Sequence, residues 1–248
     1  MSSIQKITIG ISPDVKMYRV ANVGGQIVDR ILALRLKELD ESFFTEVRQQ
    51  VDHNGYAITG KDKGHSLIFN EQNIIFSYDL YEQESVFNFD SYMRNFKFIF
   101  EAINALLQIS NIRRIGIVAE YKYKPPNGKL PSPWLKEQFS PKFNLENHTE
   151  KFHIRFEDRA LAPDGLAPDP KKDDFINSIV QIYDGSLDSE HPSSDFFYTN
   201  LDVQRYFAPV ISGKQALDAI GKLKKTFDQN SKKLNDQLLK IGAIYAPK

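Results

Sequence analysis

Eight short runs in which apolar and polar residues alternate set the limits on how this chain can fold. In IQKITIGI (4–11), Ile7, Ile9 and Ile11 share one side of a strand and Lys6, Thr8 and Gly10 the other, with Pro13 as a stop. YAITG, HSLIF and NIIFSYDLYE follow as three β-rich runs, separated by GKDKG and NEQN turns, and read as an antiparallel meander. RRIGIVAEYKYK (113–124), KFHIRFED, FINSIVQIYDG and FFYTNLDVQRYF complete the set. The strands come in groups closed by helices rather than alternating with them one by one. That order, β-α-βββ-α-β, connector, βββ-α, predicts an α+β fold: curved antiparallel sheets packed by long helices, in two pseudo-related lobes.

Three helical stretches fit this order. After Gly24-Gly25, residues Ile27, Ile31, Leu34, Phe43, Phe44 and Val47 fall near helical spacing, predicting one broken helix or two with a joint at 40–42. DSYMRNFKFIFEAINALLQ carries an apolar stripe of Tyr92, Phe96, Ile99, Ile103, Leu106 and Leu107 behind a capping Asp90 or Ser91. A last helix is expected over 212–241, with Leu217, Ile220, Leu223, Phe227, Leu234, Leu238 and Ile241 on its buried side. The Pro-rich stretch 125–133 divides a lobe at 1–124 from one at 134–248 within a single domain. LAPDGLAPDPKKDD reads as a solvated, mobile loop.

Composition narrows the function classes. The chain has no cysteine, which removes disulfides, thiolate metal sites and a cysteine nucleophile. Lys plus Arg and Asp plus Glu number 32 each, so no overall field draws the protein to nucleic acid or an anionic membrane. The 18 Phe and 11 Tyr are read first as core. No leader-like or membrane-spanning run is visible, and the expectation is a cytoplasmic protein without a cofactor. Neither a glycine-rich phosphate loop nor a nucleophile elbow is present in the sequence.

Two constellations carry chemistry. Glu120 and Lys122 share one strand face as an E-x-K, the pairing used by Mg²⁺-dependent nucleases of the PD-(D/E)xK type, where carboxylates hold the metal and lysine orients water. Asp79 or Asp90 would supply the upstream acid, and Mg²⁺ enters only under this alternative; E-x-K also arises by chance at the solvated end of a strand. The second constellation is FFYTNLDVQRYF, where Phe197, Leu201, Val203 and Phe207 point one way and Tyr198, Asn200, Asp202, Gln204 and Tyr206 the other. If KFHIRFED and RRIGIVAEYKYK neighbour it, His153, Arg155, Glu157, Glu120 and Lys122 join Asn200, Asp202 and Gln204 in a mixed-charge groove suited to a polar ligand or peptide. His148 and His153, five apart, form only a weak metal pattern.

In order, RRIGIVAEYKY, TNLDVQRYF and the GAIY after the last helix resemble a sporadically distributed family of bacterial proteins of unknown function. In that family an Arg-Ile-Gly strand follows a long helix and a Leu-Asp strand precedes a C-terminal one; the likeness covers roughly 90–120 and 196–245. The resemblance implies a bacterial origin and a mobile-element or antiviral defence setting, with no catalytic residue and no fixed E-x-K.

The expectation is therefore a non-catalytic binding or regulatory protein whose ligand-binding residues are His153, Arg155, Glu157, Asn200, Asp202 and Gln204. The alternative is the nuclease with Asp79, Asp90, Glu120 and Lys122. Its partner is a protein, or a second copy through the 212–241 helix; acids interleaved with that helix's lysines do not favour nucleic acid, and no membrane contact is expected.

Overall fold

The computed structural model describes residues 4–35, 37–39, 43–50, 54–60, 64–80, 87–142, 149–159, 166–185 and 195–246. Strand β1 (Ile4–Pro13) leads into helix α1 (Val20–Leu34), then into β2 (Glu46–Gln50), β3 (Gly55–Gly60), β4 (His65–Phe69) and β5 (Ile74–Asp79). Helix α2 (Phe89–Leu107), β6 (Ile112–Lys124) and α3 (Pro131–Phe139) follow. β7 (His153–Arg159), β8 (Phe175–Tyr183), β9 (Phe197–Ile211), α4 (Gly213–Lys240) and the short β10 (Ile244–Tyr245) complete the chain.

Among the described residues the strands form one antiparallel ten-stranded sheet in the order β2-β3-β4-β5-β1-β6-β9-β8-β7, with β10 added to β6. The protein is thus a mixed α+β fold. β6 ends at the Pro-rich connector yet pairs with β9 beyond it, from Ile112↔Ile211 to Tyr123↔Phe197, so one sheet runs through both halves of the sequence. The connector itself forms a 3-10 turn at Pro126–Gly128 and then α3, whose Trp134 lies 5.4 Å from the Phe197 ring.

All four helices among the described residues lie on the same side of the sheet. Tyr92 of α2 donates to the Phe76 carbonyl at 2.6 Å, with its ring 4.8 Å from that of Phe76. Phe76 is opposite Ile9, and Ile9 is opposite Ile117. α4 is fixed to the same face farther along, where the Tyr121 hydroxyl pairs with Ser231 at 2.7 Å and the Tyr123 hydroxyl donates to Asn235. Burial drives the Tyr121 and Tyr92 hydroxyls well above the usual phenol range. The apolar stripe predicted for the last helix is spent here: Ile220, Leu223, Phe227, Leu234 and Leu238 are buried.

Local signals explain the ends of these elements. Asn88, rather than Asp90 or Ser91, caps α2 by accepting from the Ser91 amide at 3.0 Å. Ser212 and Gln215 close a capping box on α4. Gly64, at φ +66°, turns β3 into β4; a side chain there would begin 2.2 Å from the Asp79 carbonyl oxygen.

The first helical expectation needs correction. α1 begins upstream of Gly24-Gly25, which lie inside it, because Gly24 meets the Tyr56 ring so closely that a Cβ would sit 2.4 Å from Cε2. The helix does not continue to Val47. Phe43 and Phe44 are core residues with rings 4.9 Å apart, and Thr45 begins a ladder to Thr59 that β2 extends, leaving Val47 40% exposed. The apolar spacing at Phe43, Phe44 and Val47 imitated a helix because two of the three insert from an irregular segment. The proposed joint at 40–42 and His148 lie outside the described residues. So does part of the LAPDGLAPDPKKDD loop, while its later part is pinned by Arg113 Nε donating to the Pro170 carbonyl at 2.8 Å. No helix among the described residues is long and apolar enough to cross a membrane.

Candidate functional site

With the helices on one side, the other side of the β6-β9-β8-β7 half is a polar sheet surface. Antiparallel register sets residues directly opposite each other on the same face, so its side chains can be read as rows across the strands. One row is Lys122, Tyr198, Tyr183 and His153. The next is Glu120, Asn200, Gln181 and Arg155. Then come Val118, Asp202, Ile179 and Glu157, and after them Gly116, Gln204, Asn177 and Arg159. The six residues read from the sequence as ligand-binding, His153, Arg155, Glu157, Asn200, Asp202 and Gln204, all fall on this surface.

The neighbourhood differs from the expected one in a single respect: β6 borders β9 directly, but β7 does not, because β8 lies between them. β8 therefore contributes Asn177, Gln181 and Tyr183, which the sequence reading missed. The signal was weak because Phe175 and Ile179 share the polar side of that strand, so its alternation points both ways.

Most of these side chains satisfy one another. Tyr183 donates its hydroxyl to Glu120 Oε2 at 2.5 Å, and His153 Nε2 lies 3.1 Å from Gln181 Oε1. Glu157 accepts from Arg159 Nε at 3.0 Å and Asn177 Nδ2 at 2.9 Å, with Arg155 at 3.5 Å. The Arg159 and Asn177 hydrogen bonds hold its carboxyl below the ordinary value. Lys122 and Lys124 place their Nζ atoms 3.9 and 4.7 Å from the centre of the Phe196 ring. Burial, and then the charge of Lys124, lower the Lys122 pKa, while burial and the nearby Glu120 carboxylate raise that of Tyr198.

Asp202 is the exception. Its Oδ2 accepts from Gln204 Nε2 at 2.5 Å, and Tyr206 in turn donates to Gln204 Oε1 at 3.0 Å. Its Oδ1 is enclosed and has no hydrogen-bond partner. Burial is the largest influence and raises the carboxyl above its ordinary 3.8, against the Gln204 hydrogen bond and the positive charges of Arg114 and Arg155. Gly116 places no side chain against it; a Cβ there would stand 3.6 Å from Oδ1. The centre of the surface thus offers one unsatisfied acceptor, with arginines beside it and aromatic rings at either end.

The residues of the nuclease reading are distributed differently. Asp79 and Glu120 both face Lys6, one from β5 and the other from β6, so a lysine strand separates the two acids. Their backbones are about 10 Å apart, twice the spacing of neighbouring strands. Lys122 is on the same face as Glu120, but Asp90 stands in the first turn of α2, in the helical layer. Among the described residues no group of three or more His, Asp or Glu side chains is gathered as a metal ion would need.

The fold and this surface define the molecule as an α+β protein with an antiparallel sheet covered by helices on one face. No protein-family model matches the chain. No curated protein matches it either. Among solved structures, a rolling circle replication initiator protein from Geobacillus stearothermophilus is similar at a TM-score of 0.28 and 10% identity, over 82% of this chain and 73% of that one. A likeness of that degree carries no argument about activity.

Proposed function

We propose that the protein is a non-catalytic binding or regulatory component that presents the helix-free face of β6, β9, β8 and β7 to a polar ligand or protein partner. One observation carries this reading. Asp202 keeps an enclosed, unpartnered carboxylate oxygen in the middle of a surface whose other polar groups are largely paired with each other. Buried polar atoms without partners are uncommon because each costs free energy, and a ligand that displaces the side chains enclosing Oδ1 and donates a hydrogen bond there recovers that cost. The flanking arginines favour a ligand that also bears acceptors, such as a carboxamide edge or an acidic peptide segment. The resemblance stated from the sequence supports a bacterial setting linked to mobile elements or antiviral defence, as part of the same proposal.

The test is purification of tagged protein from its native host, with mass analysis of what elutes stoichiometrically. A companion retained by the wild type and lost by Arg155→Glu and by Asp202→Asn, with both variants melting as cooperatively as the wild type, supports the reading. A companion held equally by both variants refutes it.

A further inference from the structure

On the opposite side of the sheet, between the C-terminal half of α4 and β7, β8 and β9, lies a cavity of about 510 Å³. That volume is within the usual range of small-molecule sites. Its lining changes character along its length. At one end Asp158 faces Ser178 across the β7–β8 ladder, and Asn230 of α4 donates to Ser178 Oγ at 2.8 Å. At the other end the wall is Ile182, Leu238 and Ile241. From residue 230 to 241 the helix rises about 16 Å, which is the length available to a bound molecule.

The polar end carries both signs of charge, Asp158 from β7 and Lys233 from α4. Neither forms an ion pair among the described residues. Phe156, on the edge strand at the cavity mouth, is 47% exposed, which is unusual for a ring of its size on a strand that already borders apolar lining. From the polarity gradient, the length and the two opposite charges that do not pair with each other, we infer that this cavity binds a single-chain zwitterionic amphiphile. The apolar chain runs toward Ile241, the cationic part of the head lies by Asp158 and the anionic part by Lys233. This site is separate from the polar sheet face and does not depend on the role proposed for it.

The test uses the full chain and hexylphosphocholine, whose chain and head together match the cavity's length, below its micelle concentration, followed by calorimetry and by the fluorescence of Trp134. That residue is the sole tryptophan and lies on α3, whose Phe139 lines the cavity. One saturable site is expected. Val180→Phe, which fills the middle of the cavity, abolishes binding. Phe156→Ser, on the exposed edge, weakens it about tenfold through lost apolar contact. Hexyl maltoside, with an uncharged head, binds more weakly than hexylphosphocholine, and the Asp158→Asn/Lys233→Gln double variant removes that preference. Binding without saturation, equal binding of the two detergents, or unchanged affinity in Phe156→Ser overturns the inference. If Val180→Phe does not fold, Phe156→Ser and the double variant decide the question alone.

Discussion

Replacing Asp202 by asparagine isolates the feature on which the proposed role of the polar surface turns. The substitution preserves shape and the hydrogen bond from Gln204, and it removes the charge that burial disfavours. A carboxyl whose folded pKa is raised binds its proton more tightly in the folded state than in the unfolded one. Stability therefore falls as pH rises from the ordinary 3.8 through the folded value, and the ionised form carries the full penalty at neutral pH. The asparagine amide nitrogen takes the place of the orphan Oδ1 as an equally unpaired polar group, so any gain comes from the lost charge alone, less the attraction that Arg114 and Arg155 exert on the carboxylate. Asp202→Asn is therefore expected to stabilise the protein at pH 7, by less than about 1 kcal/mol. The gain should shrink toward zero as pH falls below about 4, where the wild-type carboxyl is itself neutral. Urea unfolding across a pH series from neutral to acid reads both the size and the pH dependence. A variant less stable than wild type at neutral pH would refute the reasoning, because the carboxylate would then be held by the arginines rather than stranded by burial. A variant more stable but unable to retain the companion would have the signature of a site that trades stability for binding.

Further outcomes follow from individual contacts. Gly116→Ala fits at ordinary contact distances and should raise stability by about 0.5 kcal/mol, yet its methyl stands beside Asp202 Oδ1 and should weaken ligand retention. Gly24→Ala drives a Cβ into the Tyr56 ring and is expected to cost about 1–3 kcal/mol in a thermal or urea melt. Ser231→Ala leaves the buried Tyr121 hydroxyl without its partner, at a cost of about 1 kcal/mol or more. Glu157→Gln should cost less than about 1 kcal/mol, since that network is solvent-screened. The Glu157 contribution is present above its ordinary value of 4.5 and lost as pH falls through the lowered folded value, so the difference between variant and wild type should vanish in acid.

The fold class was legible because the strands are long enough for alternation to show. In β9, five residues from Tyr198 to Tyr206 fall on one side without exception, and the register confirms that they share a face with β6 and β8. The sheet order was not legible. It depends on pairings such as Gly116↔Gln204, whose partners are far apart in sequence and leave no local trace. β2 was misread because its neighbours Phe43 and Phe44 are apolar for reasons of tertiary packing, whereas β2 itself is mostly exposed. The orphan oxygen of Asp202 could not be read at all: it arises from what Val118 and Ile179 exclude on either side and from what Gly116 fails to fill.

The central position of β6 also governs the order of events during synthesis. Along most of its length its neighbours are the first strand of the chain and the ninth, with β10 joining only at its end, so the sheet cannot close around it until residues near 211 have been made. The partners are separated by about a hundred residues on either side, a topology of high contact order and slow assembly. A nascent chain that has emerged only through β6 has its meander and α2 but an unpaired central edge, which is an aggregation hazard that a ribosome-associated chaperone would need to cover. By the same logic the polar surface, built from β6 to β9, comes into existence late and all at once, so a partially made chain does not present it.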